Sequence, residues 1–387
     1  MEQNLKTLEN VLKECYLPAW KNQLGVEPTP LLGKIKKVTL EGNKIVATAP
    51  IGLSGGFGFG EEGQATPAAG KVNYSRFETY AKDLYVNICI SEKAVKLAKG
   101  KADSMINALE REIEAGYETA KWNTGRALYG NGTGKLADIT TEASGTTHSV
   151  GSTAYLKEGL IVDFYAADEE TPYTTARIIG VDRVNNKILL DKAIGTDAGF
   201  ITVQNSYNRE YTGLGAIFDD TVESLYNIKK ADNAWIKPIV EDAGGSITDG
   251  FITKLLRRAK NEKNSNIDTI LCGDDAYDAY VEYLRSTNNR NEVATHEMVG
   301  GFKAITFKFG NKVVDVVNES FIPTGEMWGV DSTALELHTL DWGFAELNNS
   351  SIFNLMPDSS VYRALLASYG DLICTNPGGC VRIANVA

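Results

Sequence analysis

The sequence predicts an α+β chain made of several connected units. Three observations predict it: one unusually long helical stripe at 102–130, a run of short alternating segments at 149–208, and helices that alternate with apolar strands from 211 to 320. With 387 residues, 43% of them hydrophobic and 23% charged, the chain has material for two or three cores.

Charge narrows the function classes. The chain carries 39 basic and 50 acidic side chains, a formal net charge of −11. That balance argues against a protein held to nucleic acid by counterion release, which needs dense Lys and Arg. No apolar run approaches the ~20 residues of a membrane helix, so no membrane partner is expected. The amino terminus lacks the charged-then-apolar order of a secretion signal. The cysteines Cys15, Cys89, Cys272, Cys374 and Cys380 are scattered, with no C-x-x-C pair. Neither a zinc site nor a disulfide framework is expected, and the chain reads as reduced and cytosolic.

Taken in order, residues 1–40 form an arm. Leu5, Leu8, Val11 and Leu12 share a helical face before Pro18, Pro28 and Pro30 loosen the segment. Residues 41–91 read as two strands, from a Glu41-Gly42-Asn43 turn out to a glycine-rich tip and back. Residues 92–140 hold the long helix. Met105, Leu109, Ile113 and Tyr117 recur every four residues, and Ile106, Ala120 and Ala127 widen the stripe. Asp103 or Ser104 caps its start and Gly130 or Gly132 its end. At ~1.5 Å per residue it runs roughly 40 Å, long enough to act as a spine.

Residues 149–208 read as a β-rich insertion with a hairpin turn at Asn185-Asn186. In 211–320, Ser246-x-x-Asp249 opens a helix whose one face is Phe251, Ile252, Leu255, Leu256 and Ala259. "IDTILCG" reads as a buried strand. Tyr277, Tyr280, Val281 and Leu284 then stripe a second helix. Residues 321–387 read mostly as short strands.

Several motifs resemble sites without meeting their requirements. Gly58-Phe59-Gly60-Glu61-Glu62-Gly63 is a literal G-x-G-x-x-G. A dinucleotide fold needs that motif between a strand and a helix. Here Pro67 and a strand-like run follow, and Glu61 and Glu62 would face the phosphates. "GNGTGKL" has Tyr129 where a phosphate loop needs its first Gly, and Leu136 where it needs Ser or Thr. "HEMVG" lacks the second His of a zinc protease, and no G-x-S-x-G elbow is present. Asp274, Asp275 and Asp278 read as a solvated helix start rather than a cation site. Lys254, Arg257, Arg258, Lys260 and Lys263 read as a solvated helix face rather than a phosphate contact. No cofactor, metal or catalytic residue is expected.

The glycines read better as a flexible loop tip. Exposed Phe57 and Phe59 are a liability on an isolated monomer, and against a neighbouring subunit they make sense. The expected assembly contacts are Phe57, Gly58, Phe59, Gly60, Glu61, Glu62, Gly63 and Lys71.

The order of parts, an arm, a long two-stranded loop, a spine helix ending in "ALYGNGTGKLADI", then a mixed α/β region, resembles the major capsid proteins of tailed phages. These share the Hong Kong 97-type shell fold with encapsulins. "TGLGAIFDD" (212–220) is similar to the family's return into the axial domain, and "DTILCGDDAYDAYVEYL" (268–284) to its strand and helix. "GNKVVDVVNESFIPTGEMWGVD" and "YGDLICTNPGGCVRI" resemble its later strands and carboxyl-terminal segment.

The resemblance implies an arm (1–40), an extended loop (41–91), a peripheral domain with the spine (92–140) and an axial domain (211–320). Residues 321–387 would be return strands of the peripheral domain plus the carboxyl-terminal segment, and 149–208 lies outside the shared fold. The implied function is structural: pentamers and hexamers closing an icosahedral shell around double-stranded DNA, in a virion assembled in the host cytoplasm. Implied partners are copies of the chain, a separate scaffolding protein or none, a portal and decoration proteins. The alternatives are an encapsulin-like compartment with protein cargo and, more remotely, a glycine-loop nucleotide enzyme. Lys71 lies near the loop, but no matching Asn or acidic catalyst is found for an isopeptide cross-link.

Overall fold

The computed structural model describes residues 12–24, 28–52, 55–63, 65–93, 102–140, 145–167, 170–195, 199–288, 295–298, 301–346, 352–357 and 359–387. The expected helical face at Leu5, Leu8 and Val11 lies outside them, as do the side chains of Leu12, Met105, Ile106, Leu109 and Ile113.

The spine helix spans Ala102–Tyr129. It ends where glycines release the chain, with Gly132 and Gly134 at φ +87° and +76°. Its underside lies on the strand Lys82–Ser91: a Cβ on Gly116 would sit 3.3 Å from Val86. Tyr117 and Ala120 close a core there with Trp20, Val86, Ile88, Ala364 and Leu366. Lys82–Ser91 pairs antiparallel with Val361–Cys374, which also pairs with Leu335–Phe344 and Asn354–Leu355. Lys36–Thr39 adds a parallel edge. This five-stranded sheet and the spine form the frame.

Segment 71–91, read as one strand, is two. Ala81 N donates to Asn43 O (2.9 Å) and closes a separate two-stranded ribbon, Lys44–Ile51 against Asn73–Tyr80. The last ten residues of the expected loop therefore belong to the frame. Alternation continues across the break, so the sequence pattern does not show it.

A seven-stranded sheet runs Ile239–Gly245, Val381–Val386, Met327–Val330, Thr269–Cys272, Lys312–Asn318, Lys303–Phe309, Thr295–Glu297. Two of these strands, Met327–Val330 and Val381–Val386, come from 321–387, while Leu335–Phe344 and Val361–Cys374 of the same region lie in the five-stranded sheet. Non-local pairing, invisible to a local pattern, decides that division. The helices Asp249–Lys263 and Asp274–Asn288 cover one face of the sheet, joining Ile252, Leu255, Leu256, Ala259, Ala276 and Tyr280 to Ile270, Val314 and Val316. The first helix is capped by Thr248, whose Oγ1 accepts from Phe251 N (3.2 Å), not by Ser246. Asp249 accepts instead from Tyr280 Oη (3.1 Å).

The β-rich unit is a six-stranded sheet in the order Lys135–Asp138, Gly199–Val203, Ile161–Ala166, Thr174–Asp182, Lys187–Ile194, Gly145–Ser149. It starts at Lys135 rather than 149. The Gly- and Thr-rich composition of 130–148 hid two short strands. Its core, with Val162, Phe164, Ile178, Ile188, Leu190 and Ile201, is its own. Its two ends meet where Asn208 N donates to Thr133 O (2.9 Å). The hairpin turn forms as expected, with Asn186 at φ +50°.

Candidate assembly surface

The ribbon alternates. Ile45, Ala47 and Phe77 point into the central core, where Phe77 meets Tyr226 and Trp235 edge-to-face at 6.0 and 5.9 Å. Val46, Tyr74 and Tyr80 point away and stay exposed. Lys44 and Arg76 both reach Glu78 (2.8 and 2.6 Å), and the Lys44 hydrogen bond holds the Glu78 carboxyl below its ordinary range. The root of the ribbon is thus docked and its outer face is left to solvent.

Beyond Ile51 the chain forms the tip. Gly56 and Gly70 pinch its neck: a Cβ on Gly70 would lie 2.3 Å from Gly56 N. Gly63 sits at φ +84°. Gly58, Gly60, Glu61, Glu62 and Lys71 are exposed. Phe57 and Phe59 lean edge-to-face on each other, 5.4 Å apart, yet remain 81% and 96% exposed. The structure therefore brings together every expected contact residue on one outward loop. The G-x-G-x-x-G motif is followed by the strand Asn73–Tyr80, not the helix a dinucleotide site requires.

The other motifs fall into structural roles. Tyr129 is the last spine residue, and "GNGTGK" leads into the strand Lys135–Asp138. His296 lies on the strand Thr295–Glu297, 3.2 Å from Asp315. Asp274 and Asp275 start a helix. Arg258 is taken by Glu241 and Glu262, and Lys263 donates to the carbonyls of Ala234 and Trp235. Among the described residues no cluster of His, Cys, Asp or Glu is arranged to hold a metal, and no helix is long and apolar enough to cross a membrane.

Sequence reasoning missed the polar joints that hold the ribbon's seat. Asp371, fully buried, accepts from Thr79 Oγ1 (2.5 Å), Thr212 N (2.7 Å), Thr212 Oγ1 (3.0 Å) and Leu372 N (2.9 Å). It ties the ribbon, the 212–215 turn and the long strand together. Burial raises its carboxyl above the ordinary range, and those hydrogen bonds pull it back. Arg126 grips Glu210 through two bonds (2.9 and 2.5 Å), with both side chains over nine-tenths buried. Gly213 and Gly215 press on the carbonyl end of the spine, where Leu214 N donates to Leu128 O (2.8 Å). Only the "TGLG" signal was visible in the sequence.

No protein-family model matches the chain, and no curated protein matches it. Among solved structures it is similar to the capsid of cyanophage A-1(L), at 11% identity and a TM-score of 0.55, over 92% of this chain and 93% of that one. It is also similar to the capsid of a native GTA particle (9% identity, TM-score 0.49, 93% and 91% covered). A third likeness is to the SrpI encapsulin of Synechococcus elongatus PCC 7942 (11% identity, TM-score 0.44, 91% and 85% covered). The first of these carries the conclusion: the chain has the mixed α+β fold of a phage capsid subunit, along most of its length.

Proposed function

We propose that this chain is the major capsid protein of a tailed bacteriophage, with the Hong Kong 97-type shell fold. The observation that carries this reading is the likeness to a phage capsid chain over nine-tenths of both molecules. Copies assemble as pentamers and hexamers into an icosahedral shell that encloses double-stranded DNA. The role is structural rather than enzymatic, and the shell forms in the host cytoplasm and ends as the virion wall. A wall that contains DNA without gripping it suits a net charge of −11.

The ribbon tip, with Phe57 and Phe59, anchors each subunit on a neighbour, and Gly58, Gly60 and Gly63 let it adapt to five-fold and six-fold surroundings. Glu61, Glu62 and Lys71 rim that contact. The seven-stranded sheet serves as the axial domain and the frame as the peripheral one. A separate scaffolding protein, a portal and decoration proteins complete the particle. The six-stranded insertion braces neighbours within a capsomer. Because Thr133 and Asn208 adjoin, replacing 134–207 by a short linker should leave the frame folded and weaken the shell. A deletant that assembles and melts like the parent would exclude bracing.

The deciding experiment is light scattering with negative-stain microscopy on the purified chain, with and without crowding agent. Closed shells or rings of five and six are expected. A chain that stays monomeric in every condition and binds nucleotide in calorimetry would overturn the reading. Shells that package protein rather than DNA in the host would favour the encapsulin alternative.

A further inference from the structure

We propose that Cys374 and Cys380 form an oxidation site, closing to a disulfide that clamps the seat of the ribbon. No disulfide was expected from scattered cysteines, yet the fold sets these two sulfurs 4.0 Å apart. Cys374 ends the strand Val361–Cys374 of the five-stranded sheet, and Cys380 precedes the strand Val381–Val386 of the seven-stranded one. The pair therefore brackets a crossover of the chain between the two sheets.

The spacing suits closure. A disulfide needs sulfurs about 2.05 Å apart, so closure takes an approach of roughly 2 Å from the 4.0 Å at which they stand. The backbone between them is held. A Cβ on Gly378 would lie 2.0 Å from Trp235 O, and one on Gly379 2.5 Å from Ser265 Cβ, so the turn Pro377–Gly379 fits one position. Cys374 N donates to Tyr226 Oη (3.0 Å). Tyr226 in turn stacks edge-to-face on Phe77 and accepts through its carbonyl from Glu78 N (3.1 Å). The ribbon root is thus one residue away from the clamp.

The thiols are 1% and 2% exposed, which admits only a small oxidant such as hydrogen peroxide. One sulfur attacks the peroxide O–O bond, giving a sulfenic acid and releasing water. The second sulfur displaces that oxygen as a second water and loses its proton to it, forming the S–S bond. Two thiols are oxidised and one peroxide is reduced to two waters. The contact with Cys374 and burial hold the Cys380 thiol well above its ordinary range, which slows closure. The pair then stays reduced in a cytoplasm and closes after release into an oxidising medium. That timing rests on the capsid reading; the chemistry does not.

The test is peroxide treatment of the reduced full-length chain, followed by intact mass and a non-reducing peptide map. The expected result is loss of two hydrogens, a link between Cys374 and Cys380, and a melting midpoint raised by about 3 °C. Cys380→Ala should abolish both the link and the rise. An unchanged mass, oxygen added without a link, or a link to Cys89 or Cys272 overturns the proposal. The same sample is imaged in reducing buffer. Shells that form but never link overturn the clamp and leave the capsid reading standing. A chain that links, stays monomeric with and without crowding agent and binds nucleotide overturns the capsid reading alone.

Discussion

The insertion and the ribbon are both β excursions from one frame, and they solve burial in opposite ways. The insertion carries six strands and a private core; Tyr155 Oη donates to Phe321 O (2.7 Å), and Lys157 Nζ sits 4.9 Å above the Trp122 ring of the spine. The ribbon has two strands, too few to stand alone in water. It borrows the central core through Ile45, Ala47 and Phe77 and leaves its tip unburied. Strand count decides the difference. A sheet that covers its own apolar face needs no partner, while a ribbon must find one at each end.

That contrast can be broken most forcefully at its two buried phenylalanines. Phe164→Ala in the insertion and Phe77→Ala at the ribbon root should each cost about 3–5 kcal/mol in chemical unfolding. Circular dichroism should show insertion strands loosening in the first, and limited proteolysis a freed ribbon in the second. Equal proteolysis of both variants at the same site would deny that the two cores are separate.

Next in size is Glu319, beside the Phe321 on which the insertion rests. Burial lifts its carboxyl from 4.5 to about 7, against the weaker opposing influence of the nearby Tyr129 hydroxyl and of Phe321 N, which donates to Glu319 Oε1 (3.3 Å). The folded state holds a proton that the unfolded chain releases. This contribution to stability is full below about pH 4.5 and lost as pH rises through about 7, on the order of 3 kcal/mol. Glu319→Gln should flatten that fall, seen as urea midpoints that converge at pH ~5 and ~8. A variant with the parent's full pH slope would reject the assignment.

Gly213→Ala should cost about 1–3 kcal/mol, because its Cβ would lie 2.5 Å from the carbonyl oxygens of Ala127 and Leu128. Thermal melting reads it directly. The smallest effect on the monomer belongs to the tip. Phe57→Ser with Phe59→Ser should change unfolding by no more than ~0.5 kcal/mol while sharply lowering shell yield. Unchanged yield and heat resistance would remove the tip from the assembly surface.

How much the sequence foretold differs by element. The spine was legible almost to the residue, Ala102–Tyr129 against 102–130, because helical spacing and terminal glycines act within a few residues of each other. The tip was legible because glycine density and stranded phenylalanines need no tertiary knowledge. The strands Lys135–Asp138 and Gly145–Ser149 were not, since they are short and poor in apolar residues. Thr248 rather than Ser246 caps its helix, and Asp249 is engaged by Tyr280 from another helix, a partner the local pattern does not show.

By itself, then, the sequence determined the spine, the turns and the exposed aromatic tip, all consequences of backbone preference and local spacing. Tertiary structure alone decided which sheet each late strand joins. It alone placed Asp371 under Thr79 and Thr212, and brought Cys374 to Cys380 beneath the ribbon. The strand pairings and the Asp371 contacts join residues up to hundreds of positions apart, and the cysteine pair, six apart, takes its place beneath the ribbon from Tyr226, whose partners no local pattern encodes.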